Sequence, residues 1–467
     1  MSKGDPIATD KHGVSHQYKS LYVSDDKIYT RKITGFYQRI RRYTGIPLLA
    51  GFLLCPWLIL DGRPAILFDL PARKFHVFWL TFWPQDGMYL AWLLIIAAFL
   101  LFTVTTLVGR VYCGFTCPQT VWTQMFIWVE DRIQGDRNKR IKLDHQPWTT
   151  NKIIKKGSTH FLWLAIALIS ALTFVGYFVP IRDLISGFIN FSVHPVAAFW
   201  TVFFSVATYL NAGFMREQVC KYMCPYARFQ SVMYDKNTLA VRYDSLRGES
   251  RGPRKPNEDY KAKGLGDCTD CSWCVQVCPV DIDIREGTQY ECIDCGLCVD
   301  ACNSVMDKMG YERGLIRYTT QDSVAGGETK IIRPRLLGYA IALLTMVTLF
   351  TYSIANRVPV GIDVLRDRGV KLYRIRGENV ENVYSVKLNN KDREGHKYTL
   401  SVDGVDKYKL LGAKNIYLEE GEILTLPIRL SIAKDQLNSS NTPITFTIQA
   451  IDQAEMTASQ EARFIGP

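Results

Sequence analysis

The 467-residue chain carries thirteen cysteines, and twelve of them fall into three patterned groups. Two groups are Cys-x3-Cys-Pro: Cys113, Cys117 and Pro118, then Cys220, Cys224 and Pro225, with matching cysteines 107 residues apart. The third is a double ladder. It reads Cys268-x2-Cys271-x2-Cys274-x3-Cys278-Pro279, then Cys292-x2-Cys295-x2-Cys298-x3-Cys302. Three thiolates spaced by two residues reach one face of a cubane through tight turns, and the fourth must come from elsewhere. In runs of this spacing the fourth cysteine of each ladder ligates the other cluster. The spacing therefore predicts one [4Fe–4S] cluster on Cys268, Cys271, Cys274 and Cys302, and a second on Cys292, Cys295, Cys298 and Cys278. Asn303 stands where a proline usually follows the last ligand, which touches only the turn after Cys302. Zinc and disulfides are the competing uses of cysteine. Zinc sites do not usually come as paired ladders with an extra fourth thiol, and the segment is expected on the reducing side of a membrane.

The Cys-x3-Cys-Pro pairs follow long apolar runs. Pro118 and Pro225 suit the first turn of a new helix. A cysteine at such a start has its thiolate favoured by free N–H groups and the helix dipole, so each motif is expected to present one activated thiol and a second a turn away. The order hairpin, motif, hairpin, motif reads as a duplication. If the halves pack about a pseudo-twofold axis, four sulfurs converge, and thiolates suit Cu(I), zinc or iron–sulfur chemistry. The plain alternative is that these cysteines pack helix ends. Cys55, left over inside an apolar stretch, is read as packing.

Five segments must position these groups. Candidate spans of about 20 residues cover 43–60, 88–108, 161–179, 195–214 and 336–355, the first shorter and broken by Pro56. Residues 64–83, interrupted by Asp69, Arg73 and Lys74, read as an interfacial loop, and "QTVWTQMFIWVEDRI" after Pro118 reads as an amphipathic helix along the interface. No cleavable signal peptide is expected, since the first forty residues lack an apolar core. Arg31, Lys32, Arg39, Arg41 and Arg42 precede the first span, and eight Lys and Arg crowd 132–156, whereas 180–194 holds only Arg182. That asymmetry predicts a multi-pass bacterial inner-membrane protein whose N-terminus and ladders are cytoplasmic and whose C-terminal region is periplasmic. The net charge of +11 is then largely topology and argues against a nucleic-acid partner. No expected span holds a histidine at its middle, which argues against intramembrane bis-histidine haem.

After Arg357 the pattern changes. Tyr384, Val386 and Leu388 alternate with polar residues, as do Leu424 to Ile432 and Ile444 to Ala450. Such period-two runs predict a small antiparallel sandwich of the immunoglobulin type. The expected organisation is a cytoplasmic arm (1–42), a four-span domain with both Cys-x3-Cys-Pro motifs (43–235), a ferredoxin-like two-cluster domain (236–335), a fifth helix (336–356) and an all-β domain (357–467). The fold class is thus a five-helix transmembrane α bundle with an inserted ferredoxin-like segment and a C-terminal immunoglobulin-like sandwich.

"GRVYCGFTCPQTVW", "VCKYMCPYARFQSVM", "CTDCSWCVQVCPVDIDIREG" and "ECIDCGLCVDAC", in this order, resemble the cytochrome c oxidase accessory protein family CcoG, also called FixG or RdxA. The resemblance runs over nearly the whole chain. It implies a cupric reductase that turns Cu(II) into Cu(I) for the copper centre of cbb3-type oxidase. It implies two [4Fe–4S] clusters, copper handled by Cys113, Cys117, Cys220 and Cys224, and oxidase assembly factors, membrane lipid and an unidentified electron donor as partners. The same motifs are also similar to quinol-oxidising proteins of the NapH and NosR type, which implies an electron conduit. A non-catalytic assembly scaffold is a third reading.

Overall fold

The computed structural model describes residues 27–467, apart from 61, 257, 367–372, 393, 406, 413 and 438, together with two short strands, Ile7–Thr9 and Ser15–Gln17. Nearly half of the expected N-terminal arm, 1–42, therefore lies outside the described residues. The chain divides into two compact units, Met1–Leu67 with Ile95–Leu343, and Phe68–Leu94 with Leu344–Pro467.

Among the described residues, four helices are long and apolar enough to cross a membrane: Gly87–Val108, Thr150–Val175, Pro195–Met215 and Pro334–Ala355. Five were expected. The first expected span is instead a helix over Phe36–Leu54, with Pro47 inside it and a 3-10 turn after it. Its early turns hold charge because they are built into protein rather than lipid. The Asp300 carboxylate accepts the Tyr37 and Gln38 N–H groups at 3.2 and 2.8 Å, buried Arg41 donates to the Gly114 carbonyl at 3.0 Å, and Thr44 donates to that of Phe115 at 3.0 Å. A carboxylate on free helix N–H groups is favourable for charge and for hydrogen bonding. The third expected span begins eleven residues early, at Thr150, because Thr149 caps Lys152 N–H and Lys152 places its ammonium on the Asp144 and Gln146 carbonyls.

The segment expected as an interfacial loop contains a three-stranded meander, Ile66–Asp69, Lys74–Val77 and Leu80–Phe82. The helix after Pro118 forms over Pro118–Ile133, and its apolar face meets protein. Phe126 stacks on Trp163 with centroids 5.3 Å apart, and Trp122 donates to Ser170 at 3.0 Å. Glu130, also buried, pairs with Arg140 and Arg216, each at 2.9 Å. Removing one partner of such a buried group leaves an uncompensated charge, a loss of about 3–5 kcal/mol.

The C-terminal region is a two-sheet sandwich with every neighbouring pair antiparallel. One sheet runs Val360–Arg366, Asn379–Asn390, Ile423–Ala433, Tyr408–Leu411, with Arg374–Arg376 also on Asn379–Asn390. The other runs Asn415–Leu418, His396–Asp403, Asn441–Ala450, Thr457–Ile465. The expected alternation is present: Tyr384, Val386, Leu388, Ile428, Leu430, Ile444, Phe446 and Ile448 are all buried. Each such side chain contributes about 1.5–3 kcal/mol of burial.

His396 is buried between Asp452, 2.6 Å away, and Asp392, 2.9 Å away. The hydrogen bond to Asp452, then that to Asp392, raises its pKa. A raised group stabilises the fold fully below the ordinary histidine value of about 6.5 and loses that contribution as pH climbs through the folded value. Amide exchange of His396–Asp403, corrected for intrinsic rates, should therefore speed up between about pH 6 and about pH 8. His396→Gln should remove most of that difference; an unchanged pH response would mean that the histidine carries none of it.

Candidate iron–sulfur and thiol centres

The two ladders fold alike. In each, the residues before and after the second cysteine adopt the left-handed region: Asp270 and Ser272 in the first (φ 53° and 56°), Asp294 and Gly296 in the second (φ 47° and 70°). Those reversals turn three successive cysteines toward one side. At Gly296 the backbone also needs the missing side chain, since a Cβ would stand 2.5 Å from the Tyr37 ring. Short helices follow, Trp273–Gln276 and Leu297–Met309, and the strand pair Ala240–Tyr243 with Ile316–Thr319 closes the segment.

Cys268, Cys271, Cys274 and Cys302 line one hollow, together with Met306, Leu315, Ile316 and Arg285. Cys278, Cys292, Cys295 and Cys298 line a second, with Val241, Val280 and Ile284; Cys274 borders it too. The crossing has a simple geometric cause. Cys298 and Cys302 lie four residues apart on one helix, and a helical turn of about 5.4 Å carries the later cysteine to the neighbouring hollow. Cys274 and Cys278 are offset by the same four residues. Backbone N–H groups of Val280 and Ile282 face the Cys278 sulfur, and that of Ile316 faces Cys302. Hollows walled by four sulfurs, apolar side chains and N–H donors suit cubanes, whose potentials respond to such hydrogen bonds. Burial pushes the Cys274, Cys278 and Cys302 thiols up to about 12. They become good ligands only when a metal's charge compensates the lost water. Of the eight, Cys271 is the one exposed.

Both Cys-x3-Cys-Pro motifs end as expected, with Cys117 the N-cap of Pro118–Ile133 and Cys224 the N-cap of Pro225–Val232. They are not identical locally: Cys113 lies on an α-helical turn, Val111–Phe115, and Cys220 on a π-helical turn, Val219–Met223. The four thiols come within electrostatic reach of each other across the motifs. Cys113 senses Cys117 and Cys224, while Cys220 senses Cys117, Cys113 and Cys224. Among the described residues, no three His, Cys, Asp or Glu side chains are gathered tightly enough to hold a single metal ion. The helix-start thiols expected to be activated are Cys117 and Cys224; their partners a turn before are Cys113 and Cys220. Burial pushes them up to about 11 and about 12, and Arg110 offsets only part of this. Cys55 stands beside Tyr177, in the turn that ends the first helix.

The first thiol pair abuts the second ladder. A Cβ on Gly114 would stand 2.7 Å from the Ile293 carbonyl and 2.9 Å from Cys295 Cα, so the Cys113–Gly114 backbone lies flush on the Ile293–Cys295 turn. Buried Asp294 locks the contact. Its carboxylate accepts the Arg110 N–H at 2.9 Å, the Val241 N–H at 3.0 Å and the Tyr234 hydroxyl. Each sulfur group also has an arginine at its side: Arg285 at the first hollow, Arg41 within electrostatic reach of Cys278 and Cys295, and Arg110 at Cys113. Sequence reasoning read Arg41 as a topology marker and passed over Arg110, Gln230 and Asp294. The one available signal was position, since Arg110 precedes Cys113 by three residues and Asp294 sits inside the ladder.

Residues 215–321 match a family model described as a 4Fe-4S dicluster domain, and residues 90–140 match one described as a 4Fe-4S binding domain. With the apolar helices, they define the class: a membrane iron–sulfur redox protein. Residues 350–467 match the model of the IG-like fold at the C-terminal of FixG. Nitrogen fixation protein FixG of Rhizobium meliloti is 37% identical over 422 residues, covering 82% of this chain and 80% of the relative. Proteins RdxA and RdxB of Cereibacter sphaeroides are 37% and 38% identical, covering 82% and 83% of this chain and 84% of each relative. The chain belongs to the FixG/RdxA family. A crystal structure of a FixG-related protein from Vibrio parahaemolyticus is 40% identical, covers 23% of this chain and 95% of its own, and has a TM-score of 0.22.

Proposed function

We propose that this protein reduces Cu(II) to Cu(I) at Cys113, Cys117, Cys220 and Cys224, for assembly of the copper centre of a cbb3-type oxidase. The observation that carries this reading is the flush contact between Gly114 and the Ile293–Cys295 turn, which sets a soft-ligand site against the second ladder. Cys268, Cys271, Cys274 and Cys302 would hold one cubane, and Cys278, Cys292, Cys295 and Cys298 the other. When bound, these clusters supply one-electron transfer. The chain's own part is to choose the oxidation state. Cu(II) prefers nitrogen and oxygen donors, whereas thiolates stabilise Cu(I), so copper drawn among the four sulfurs gains one electron and is held in the reduced form. The left-handed turns fix three sulfurs of each ladder, and the Asp294–Arg110 bond keeps the thiol motif against its neighbour. The test is anaerobic mixing of reduced protein with Cu(II), following cluster absorbance and Cu(I) chelation together. Reoxidation of the clusters without Cu(I) appearing, or no reoxidation at all, would sink the reading; the second result would favour a non-catalytic scaffold.

A second reading, a conduit fed by a membrane quinol, is favoured by one observation. A cavity of about 510 Å³, walled by Tyr37, Ile40, Val104, Val108, Tyr112 and Tyr318 among others, opens between the first helix and the end of Gly87–Val108. Reduction of the clusters by a quinol would support this supply route, whether or not copper is the acceptor.

Connectivity supports a periplasmic C-terminal domain. The start of the first helix is capped by Asp300, on the ladder side, and the Val108 end of Gly87–Val108 leads to Arg110 on that same side. The Gly87 end is a helix length away, about 33 Å at 1.5 Å per residue. The chain must therefore traverse that depth between 36 and 87, which makes an odd number of crossings. Single cysteines introduced on exposed residues of 357–467 should react with an impermeant thiol reagent in intact spheroplasts. Protection there, with labelling only after lysis, would overturn the topology.

A further inference from the structure

Two buried side chains stand at the four-thiol site without full partners. Arg110 is 2% exposed. Its Nη1 donates to the Tyr290 carbonyl at 2.5 Å, its Nη2 lies 4.0 Å from Cys113 Sγ, and its Nε has no partner. Gln230 is 1% exposed and reaches in from the helix that Cys224 caps. Its Oε1 accepts the Cys113 S–H at 3.0 Å, and its Nε2 has no partner. Buried N–H groups are almost always satisfied in native proteins, so the unpartnered Gln230 Nε2 and the long Arg110 Nη2 contact beside Cys113 ask for a stronger acceptor.

We propose that Arg110 and Gln230 are positioning residues of this site, donating N–H···S hydrogen bonds to Cys113 once it is a thiolate in a copper complex. The inference rests on the proposed copper chemistry of the four cysteines. A thiol can donate one hydrogen bond, and Gln230 accepts it; a thiolate only accepts. Rotation of the amide about its last torsion exchanges Oε1 for Nε2, so glutamine serves both states, which neither Leu nor Glu can do. Arg110 stays protonated under all ordinary conditions, so it supplies a fixed positive charge. That charge is felt at Cys113 and at Cys220, one sulfur from each motif. Its backbone cannot drift, because the Arg110 N–H is held by Asp294 and by the Tyr234 hydroxyl, both at 2.9 Å.

The consequence is selective. Around a given thiolate set, Cu(I) leaves the complex one charge more negative than Cu(II) does. A fixed cation beside it therefore favours the one-electron-reduced form over the oxidised one. Arg110 would raise the potential of bound copper, and Gln230 would hold Cys113 in the ligand geometry.

The experiment uses the full chain with both clusters, made anaerobic, with Cu(I) shared against a calibrated Cu(I) chelator. Arg110→Gln and Gln230→Leu should each weaken Cu(I) binding about tenfold or more, the size expected for a lost hydrogen bond to a charged group. Arg110→Lys, which keeps the charge, should stay within about threefold of the parent. Iron content and cluster absorbance should not change. The potential of bound copper should fall in Arg110→Gln and recover in Arg110→Lys, a response that a packing role would not give. Should Arg110→Gln fail to fold, Gln230→Leu decides alone. If the parent binds Cu(I) through its four thiols while the variants match it within about twofold, the proposal is wrong and the copper reading stands. If Cu(I) binding by the parent does not depend on Cys113 and Cys117, both fall together.

Discussion

Replacing Cys113 and Cys117 together with serine should lower Cu(II) reduction by at least about a hundredfold while leaving both clusters in place. The expectation follows from ligand chemistry. Serine is nearly the same size, and its hydroxyl can still donate to Gln230 Oε1, so the buried turn Val111–Phe115 keeps its hydrogen bond. What disappears is two soft donors of four, and hard hydroxyl oxygen does not stabilise Cu(I). Loss of one strong ligand contact is worth several kcal/mol, and each 1.4 kcal/mol is a factor of about ten. No ladder cysteine is touched, so iron content, cluster absorbance and membrane insertion should match the parent. The Cys220 and Cys224 pair should matter equally if the motifs share a site, as their mutual electrostatic reach implies. Stopped-flow mixing with Cu(II) gives the rate, and iron analysis gives the control. Normal reduction in this variant would make the motifs packing elements. Loss of iron would make them cofactor ligands.

How far the sequence led differs from element to element. The sandwich was legible because one face of each strand is buried, which imposes period two on Tyr384, Val386 and Leu388 whatever the partners are. The ladder grouping was legible because covalent spacing restricts which sulfurs can meet. The first helix starts seven residues before the expected span because hydropathy cannot tell an arginine in water from one buried on a carbonyl, as Arg41 is on Gly114. Helix Pro118–Ile133 was placed at the interface because an apolar stripe does not name what it faces. Its charged Glu130 is buried, and Arg140, Arg216 and Lys27, brought in from other segments, account for that. The protonation of the other thiol of each motif was not legible for the same reason. A helix start favours a thiolate locally, but Cys113 and Cys220 lie a turn before it, and burial decides their protonation. Arg110 and Gln230 sit inside the two quoted motif stretches but could not be singled out there, since their meeting at Cys113 is a product of packing.

The crossing of the fourth ligands gives the other large expected effect. Cys278→Ser should remove the cluster that borders Cys292, Cys295 and Cys298, and spare the one bordering Cys278's own sequence neighbours. Iron should fall from about eight atoms per chain to about four, since each cubane carries four. The geometry leaves little choice. Cys278 lies four residues beyond Cys274, past the end of the short helix Trp273–Gln276, in the hollow with Cys292, Cys295 and Cys298, whereas Cys302 sits with Cys268, Cys271 and Cys274. Val280 and Ile282 aim their N–H groups at the Cys278 sulfur, so serine there would be hydrogen-bonded in place but would ligate iron poorly. Cys302→Ser is the reciprocal case and should remove the first-ladder cluster, the one with exposed Cys271. Low-temperature EPR of the reduced protein separates the outcomes. The two lost signals should differ, because Arg285 stands at one hollow and Arg41 near the other. If Cys278→Ser and Cys302→Ser erase the same signal, or each erases the one expected of its counterpart, the ligands do not cross. The Gly114 contact on Cys295 would then no longer set the thiol site against the cluster assigned here as second, and the route by which copper gains its electron would have to be drawn again.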